Sequence, residues 1–175
     1  MPIHRLNHVV LYVRNCDVTR AFYEEVFGFR EVMGTAGRAS FLQAPGSNND
    51  HDLGLFSIGE QAEPSSAGRT TVGMYHVAWE ASTLNELASI SEELSKRGNL
   101  VGASDHSTTK ALYGVDPDGL EFEVSWIVPA SLLTEEIVNQ RATVRPLHLS
   151  AEIDRFGGDT LGGLGVSVPL NVRAG

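Results

Sequence analysis

The chain has 175 residues and a formal net charge of −9, with 42% hydrophobic and 20% charged residues. That balance suits a globular domain with a buried core and excludes a disordered chain. The acidic surplus, with no cluster of Lys and Arg, excludes nucleic acid as a main partner, and no apolar run approaches the roughly 20 residues of a membrane span.

Residues 1–6, Met-Pro-Ile-His-Arg-Leu, lack the apolar stretch of a signal peptide. The single cysteine, Cys16, excludes an internal disulfide framework. Both features predict a cytoplasmic protein. Cys16 itself reads as a packing residue at a helix start rather than a reactive thiol.

Residues 8–13, His-Val-Val-Leu-Tyr-Val, are β-rich and predict a strand. A helix follows, with Asp17 as its N-cap, Val18, Ala21, Phe22 and Val26 at helical spacing, and Gly28 as its stop. Residues 29–33, 39–43 and 53–58 predict three short strands. The pattern then recurs. Residues 76–81, His-Val-Ala-Trp-Glu-Ala, predict a strand, and Thr83 with Glu86 forms a capping box. Leu87, Ile90 and Leu94 supply a helical stripe that ends at Gly98. Strands are expected at about 100–103, 110–115 and 120–127. Twenty residues separate His8 from Gly28, and twenty-two separate His76 from Gly98.

Each half is therefore a βαβββ module, at 1–60 and 74–128, with the Ser-, Gly- and Thr-rich residues 61–73 as connector. The expected class is α+β: two modules in one domain, 1–128, forming a curved mixed sheet around a metal-containing cleft. Residues 129–175 form a C-terminal extension. A short helix is expected within 130–140, and the Gly-rich stretch 154–165 reads as part of a surface arm or partly ordered tail, with a segment over the cleft mouth or on a second subunit as the alternative.

Three polar side chains stand where strands should be apolar. His8 and His76 open equivalent strands of the two modules. After the reverse turn Asp116-Pro117-Asp118-Gly119, the alternation in Leu120-Glu121-Phe122-Glu123-Val124 puts Glu121 and Glu123 on one strand face. Two imidazoles and one carboxylate are the donor set of non-haem Fe(II) oxygenases. They also suit Mn(II), Zn(II) or Ni(II), and composition does not choose among them. His4 and His148 have no supporting context.

The segments 8–32, 51–58, 75–98 and 105–126 resemble the vicinal-oxygen-chelate superfamily, which includes glyoxalase I, bleomycin- and fosfomycin-resistance proteins and type I extradiol catechol dioxygenases. The most specific run is 111–124, Ala-Leu-Tyr-Gly-Val-Asp-Pro-Asp-Gly-Leu-Glu-Phe-Glu-Val. The resemblance implies that His8, His76 and Glu123 bind the metal, with Fe(II) expected. The run His51-Asp52-Leu53-Gly54-Leu55 is similar to the extradiol pattern and implies that His51 is the acid–base catalyst. Tyr113, ten residues before Glu123, matches a tyrosine that hydrogen-bonds substrate and oxygen, and His106 matches a further active-site histidine. Glyoxalase-type members usually supply a fourth ligand, often Glu, from the strand that spans 53–58 here. That strand has no carboxylate, which favours the open, extradiol type.

The resemblance thus implies an extradiol dioxygenase, an oxidoreductase of aromatic catabolism acting on a small aromatic substrate with O2, and it makes a homodimer plausible. A glyoxalase-type metal-dependent isomerase or lyase and a non-catalytic drug-binding protein are the alternatives. Phe41, Phe56, Trp79 and Trp126 either line an aromatic-accepting pocket or belong to the core.

Overall fold

The computed structural model describes residues 3, 5–68 and 70–163. His4 and the end of the extension from 164 onward therefore lie outside the described residues. Cα proximity divides the chain into two compact units: Met1–Tyr75 with Asp116–Leu120, and His76–Val115 with Glu121–Gly175.

The first unit runs β1 (Val9–Val13), α1 (Cys16–Phe27), β2 (Arg30–Thr35), β3 (Ala39–Gln43) and β4 (Leu53–Ser57). Its sheet order is β1-β4-β3-β2, with β1 parallel to β4 and the other pairs antiparallel. Helix α1 buries Cys16, Thr19, Phe22, Tyr23 and Val26, residues recurring at three- and four-residue steps, so they form one stripe. Leu11, Val13, Leu42, Leu53 and Leu55 are buried on the sheet. The helix begins two residues earlier than expected. Asn15 is the N-cap, in extended backbone, and its side chain accepts from the Asp17 N–H. Gly28 ends the helix in the left-handed conformation, at φ 71°.

The second unit repeats the order: β5 (Val77–Glu80), α2 (Leu84–Arg97), β6 (Leu100–Asp105), β7 (Thr109–Val115) and β8 (Glu121–Ile127). The order β5-β8-β7-β6 again has its one parallel pair, β5 with β8, at the first position. The Thr83–Glu86 capping box is present in both directions. In each module the strand after the helix carries a register shift, between Glu31 and Met33 in one and between Leu100 and Gly102 in the other. The α+β class and the two βαβββ modules hold. Backbone pairing, however, divides the strands into two mixed sheets instead of one continuous sheet.

The extension differs from the expected surface arm. The single helix expected within 130–140 is a 3-10 turn, Ala130–Leu132, followed by α3 (Glu135–Asn139). A two-residue strand, β9 (Arg145–Pro146), then pairs antiparallel with β6 and becomes the fifth strand of the second sheet. Helix α4 (Leu149–Phe156) packs on α2. Further along, Trp126 Nε1 donates to the Thr160 carbonyl (3.1 Å), Gly162 N–H to Ser82 (2.8 Å) and Gly163 N–H to Ile127 (3.1 Å). The described part of the extension is thus stitched into the second unit along its length.

Packing in this unit is tight around Gly114 on β7. A Cβ there would overlap the Phe122 ring and come within 3.1 Å of the Asn99 carbonyl. Phe122 is itself buried, so it cannot swing into solvent. Gly114→Ala should therefore lower stability by about 1–3 kcal/mol, the usual range for overpacking, read as a lower midpoint in urea at unchanged slope.

Candidate metal and catalytic site

In the first unit, His8 sits just before β1. Its Nδ1 lies 2.7 Å from Asn7 Oδ1. A side-chain carbonyl can only accept, so Nδ1 is the donor, and in the neutral ring Nε2 keeps its lone pair. That is the tautomer a metal-ligating imidazole needs, fixed by its outer partner.

The His51 ring packs at 4.6 Å from that of His8, between centroids, and edge-to-face against Phe41 at 5.1 Å. Phe41 in turn meets Phe56 edge-to-face at 5.7 Å. His51 Nδ1 is 3.0 Å from Asp50 Oδ2, so this imidazole also has its Nε2 unprotonated when neutral. The loop that carries His51 is shaped by Asp52, which accepts from the Ala44 N–H, the Ser47 hydroxyl and the Asn49 amide at 2.7–2.9 Å. The same Asn49 amide donates to the Asn7 carbonyl at 2.8 Å, tying the His51 loop to the segment that bears His8.

In the second unit, His76 Nε2 and Glu123 Oε2 are 3.4 Å apart, with both side chains largely buried. Two adjacent donors around one cation, at bond lengths of ~2.0–2.2 Å, stand roughly 3 Å apart, so this pair fits a shared metal ion. Register explains the approach. Glu123 is opposite Ala78 on β5, two residues after His76, and opposite Tyr113 on β7. The Tyr113 hydroxyl lies 3.0 Å from His106 Nε2, and the His76 and Tyr113 ring centroids are 6.1 Å apart.

The two modules can be superposed by register alone. The row Ala78–Glu123–Tyr113–Gly102 in the second sheet corresponds to Val10–Gly54–Phe41–Met33 in the first. Gly54 thus stands where Glu123 does, and Phe41 where Tyr113 does. A Cβ at Gly54 would meet Val10 at 3.3 Å and the Phe41 ring at 3.4 Å, so a side chain there would be flanked closely by both.

The structure therefore brings together His8 with His51, His76 with Glu123, and His106 with Tyr113. Of the three expected ligands, His8 belongs to the first unit and His76 with Glu123 to the second. Among the described residues no group of three or more His, Cys, Asp or Glu side chains is gathered to hold a metal ion. Of the four aromatic candidates, Phe41 and Phe56 accompany His51. Trp79 and Trp126 lie on the strand face opposite to Glu123 and Tyr113, and Trp126 is core, packed on Phe156 at 5.5 Å.

The sequence reading passed over Asn7, Asp50 and a buried charge network around Lys110. Lys110 carried a usable signal, since strand alternation places it on the same face as Leu112. Burial pushes the neighbouring Asp105 carboxyl up. The Lys110 ammonium, the Ser107 N–H and the Arg145 guanidinium outweigh it and hold Asp105 below the ordinary carboxylate range. The opposite holds at Asp116, where burial pushes the carboxyl up to about 6 against the pull of the Leu120 and Asp118 N–H groups.

No described helix is long and apolar enough to cross a membrane. The chain is similar to the catechol-2,3-dioxygenase of Bacillus subtilis (strain 168), at 30% identity over 128 residues, 70% of this chain and 42% of that protein. It thus spans about two fifths of that relative's length. Among solved structures it is similar to a glyoxylase/bleomycin resistance protein/dioxygenase domain from Frankia sp. EAN1pec, with a TM-score of 0.58 at 21% identity, covering 71% of this chain and 92% of that one. It is also similar to lactoylglutathione lyase from Agrobacterium tumefaciens, with a TM-score of 0.53 at 22% identity, covering 71% and 95%. At those identities the two structures speak for the fold alone. Residues 5–124 match the model of the glyoxalase/bleomycin resistance protein/dioxygenase superfamily, and the chain belongs to that superfamily.

Proposed function

We propose that this protein is an extradiol dioxygenase, cleaving a catechol-type ring beside its two hydroxyls with O2, and that His8, His76 and Glu123 hold one Fe(II). The observation that carries this reading is the donor count. At the register position of Glu123 the closing strand of the other module has Gly54, so that matched pair of positions supplies one carboxylate. Two imidazoles and one carboxylate leave coordination positions open, as an oxygenase requires. The B. subtilis relative supports the reaction class. Iron, when bound, would supply charge to lower the pKa of the catechol hydroxyls and an electron path between catechol and O2.

The chain's own groups supply orientation and proton transfer. His51, with Nδ1 committed to Asp50, offers Nε2 to take the proton of a catechol hydroxyl and to return it later. Phe41 and Phe56, edge-on to one another beside His51, give an aromatic substrate an apolar wall. The Tyr113 hydroxyl, backed by His106, donates to the oxygen on which negative charge develops.

Protein loaded anaerobically with Fe(II) should consume one O2 per catechol in an oxygen electrode and form a yellow ring-opened product. Full iron occupancy without oxygen uptake across a panel of substituted catechols would remove the reading in favour of an isomerase or lyase. Protein purified without bound metal, and unable to take it up, would favour a non-catalytic binder.

A further inference from the structure

Lys110 lies on the helix-facing side of β7, in register with Trp126, and is fully buried. Its Nζ is 2.5 Å from Asp105 Oδ1, 3.2 Å from the Ser107 carbonyl and 3.0 Å from Glu152 Oε2 on α4. The Glu152 contact is an ion pair that lies off the hydrogen-bond line, since the same oxygen has no hydrogen-bond partner among the described residues. Arg145 on β9 closes the set, with Nη2 3.2 Å from Asp105 Oδ2. Two cations and two carboxylates, one of each from the extension, form a neutral cluster.

A buried ion cluster is rarely more stabilising than apolar side chains of the same volume, so stability alone is a poor reason for it. Its geometry suggests a better one. The cluster grips both ends of Ser107, whose N–H donates to Asp105 Oδ1 (2.7 Å) and whose carbonyl accepts from Lys110. Ser107 is a non-glycine residue at φ 66°, a conformation that persists only where neighbouring groups hold it. His106 is the preceding residue. Its N–H donates to the Thr109 carbonyl and its own carbonyl accepts from Thr108, so its backbone is fixed by the same turn. From that turn its ring reaches the Tyr113 hydroxyl.

We propose that the C-terminal extension is a positioning element for the reaction centre: Glu152 and Arg145 hold Lys110 and Asp105, these hold the Ser107 turn, and the turn sets His106 against the Tyr113 hydroxyl. The proposal rests on the reading above, in which Tyr113 and His106 serve the reaction. It gives residues 145–152 a role without placing them on substrate, so they are positioning and not catalytic residues.

The test is the paired replacement Lys110→Met with Glu152→Met in the full chain, which removes one charge of each sign and keeps the volume. It is read in two ways: by steady-state kinetics, and by the side-chain 15N resonances of His106 at one fixed pH, identified by their loss in His106→Asn. The expected result is a native circular dichroism spectrum, a kcat lowered tenfold or more at nearly unchanged KM, and His106 resonances moved in the direction that Tyr113→Phe moves them. If the double variant does not fold, the isosteric Glu152→Gln carries the same measurements. An unmoved His106 signal, or a moved one with unchanged kcat, overturns the proposal. A moved signal in a protein whose unmodified form takes up no oxygen strikes the ring-cleavage reading and leaves the His106 contact standing.

Discussion

His51→Ala should keep stoichiometric Fe(II) and catechol affinity while turnover falls about 10²–10⁴-fold, the usual contribution of a positioned acid–base group. The reason lies in the ring's two nitrogens. Nδ1 is committed to Asp50, and Nε2 is the atom left to exchange protons with substrate. His51 is also not one of the expected ligands, so its loss should leave the donor set complete. His76→Ala is the contrasting variant. It removes the imidazole 3.4 Å from Glu123 Oε2 and should abolish one-to-one iron, measured by element analysis after anaerobic loading. The two variants separate the roles: one retains metal without turnover, the other retains neither. Asp50→Asn should cost far less than His51→Ala, because Asp50 is 91% exposed and water can replace it as the Nδ1 acceptor. Near-normal turnover in His51→Ala would remove that histidine from the chemistry, and retained iron in His76→Ala would show the ligand assignment wrong.

The modules were legible because their signals are local and repeated. The His-to-Gly spacing, the Thr83–Glu86 box and the two closing glycines each act within one or two turns of chain, and the structure has them where the sequence put them. The first helix start was misplaced for an equally local reason. Asn15 and Asp17 are both good capping types two residues apart, and only the extended backbone at Asn15 decides between them. The alternation that set Glu121 and Glu123 apart from Phe122 and Val124 was equally readable, since period two needs no tertiary knowledge.

What escaped the sequence depends on pairing between distant residues. A two-residue strand such as β9 carries no periodicity, so nothing in Arg145-Pro146 announces that it will complete a sheet edge forty residues back. The Lys110 cluster joins positions 105, 110, 145 and 152, a constellation no window of sequence displays. Equivalence of Gly54 with Glu123, and of Phe41 with Tyr113, needed the strand register. The sequence offered only the absence of a carboxylate in that strand, whereas register names the glycine in its place and the ring beside it.

Asp116→Asn should gain stability relative to the unmodified protein as pH rises from 4 to 8, by a change of about 2 kcal/mol in the difference between the two. Asp116 Oδ1 accepts from the N–H groups of Asp118 and Leu120, while Oδ2 is buried with no partner among the described residues. Burial of that oxygen is the main reason the folded carboxyl titrates near 6 instead of at its ordinary 3.8. A carboxyl whose folded pKa is raised binds its proton more tightly in the native than in the unfolded chain. Its stabilising contribution is therefore complete below about pH 4 and is lost as pH climbs through 6. Asparagine keeps the Oδ1 acceptor and has no charge to bury, so its own offset from the unmodified protein is a constant set by how its amide is accommodated. Subtracting the two stability profiles cancels the other titrating groups and isolates the slope due to Asp116. Because Oδ1 fixes the Leu120 N–H immediately before β8, the same titration bears on the turn that leads to Glu123. A stability difference that stays flat from pH 4 to pH 8, in urea titrations of equal slope, would show that Asp116 titrates as an ordinary carboxylate in the folded chain.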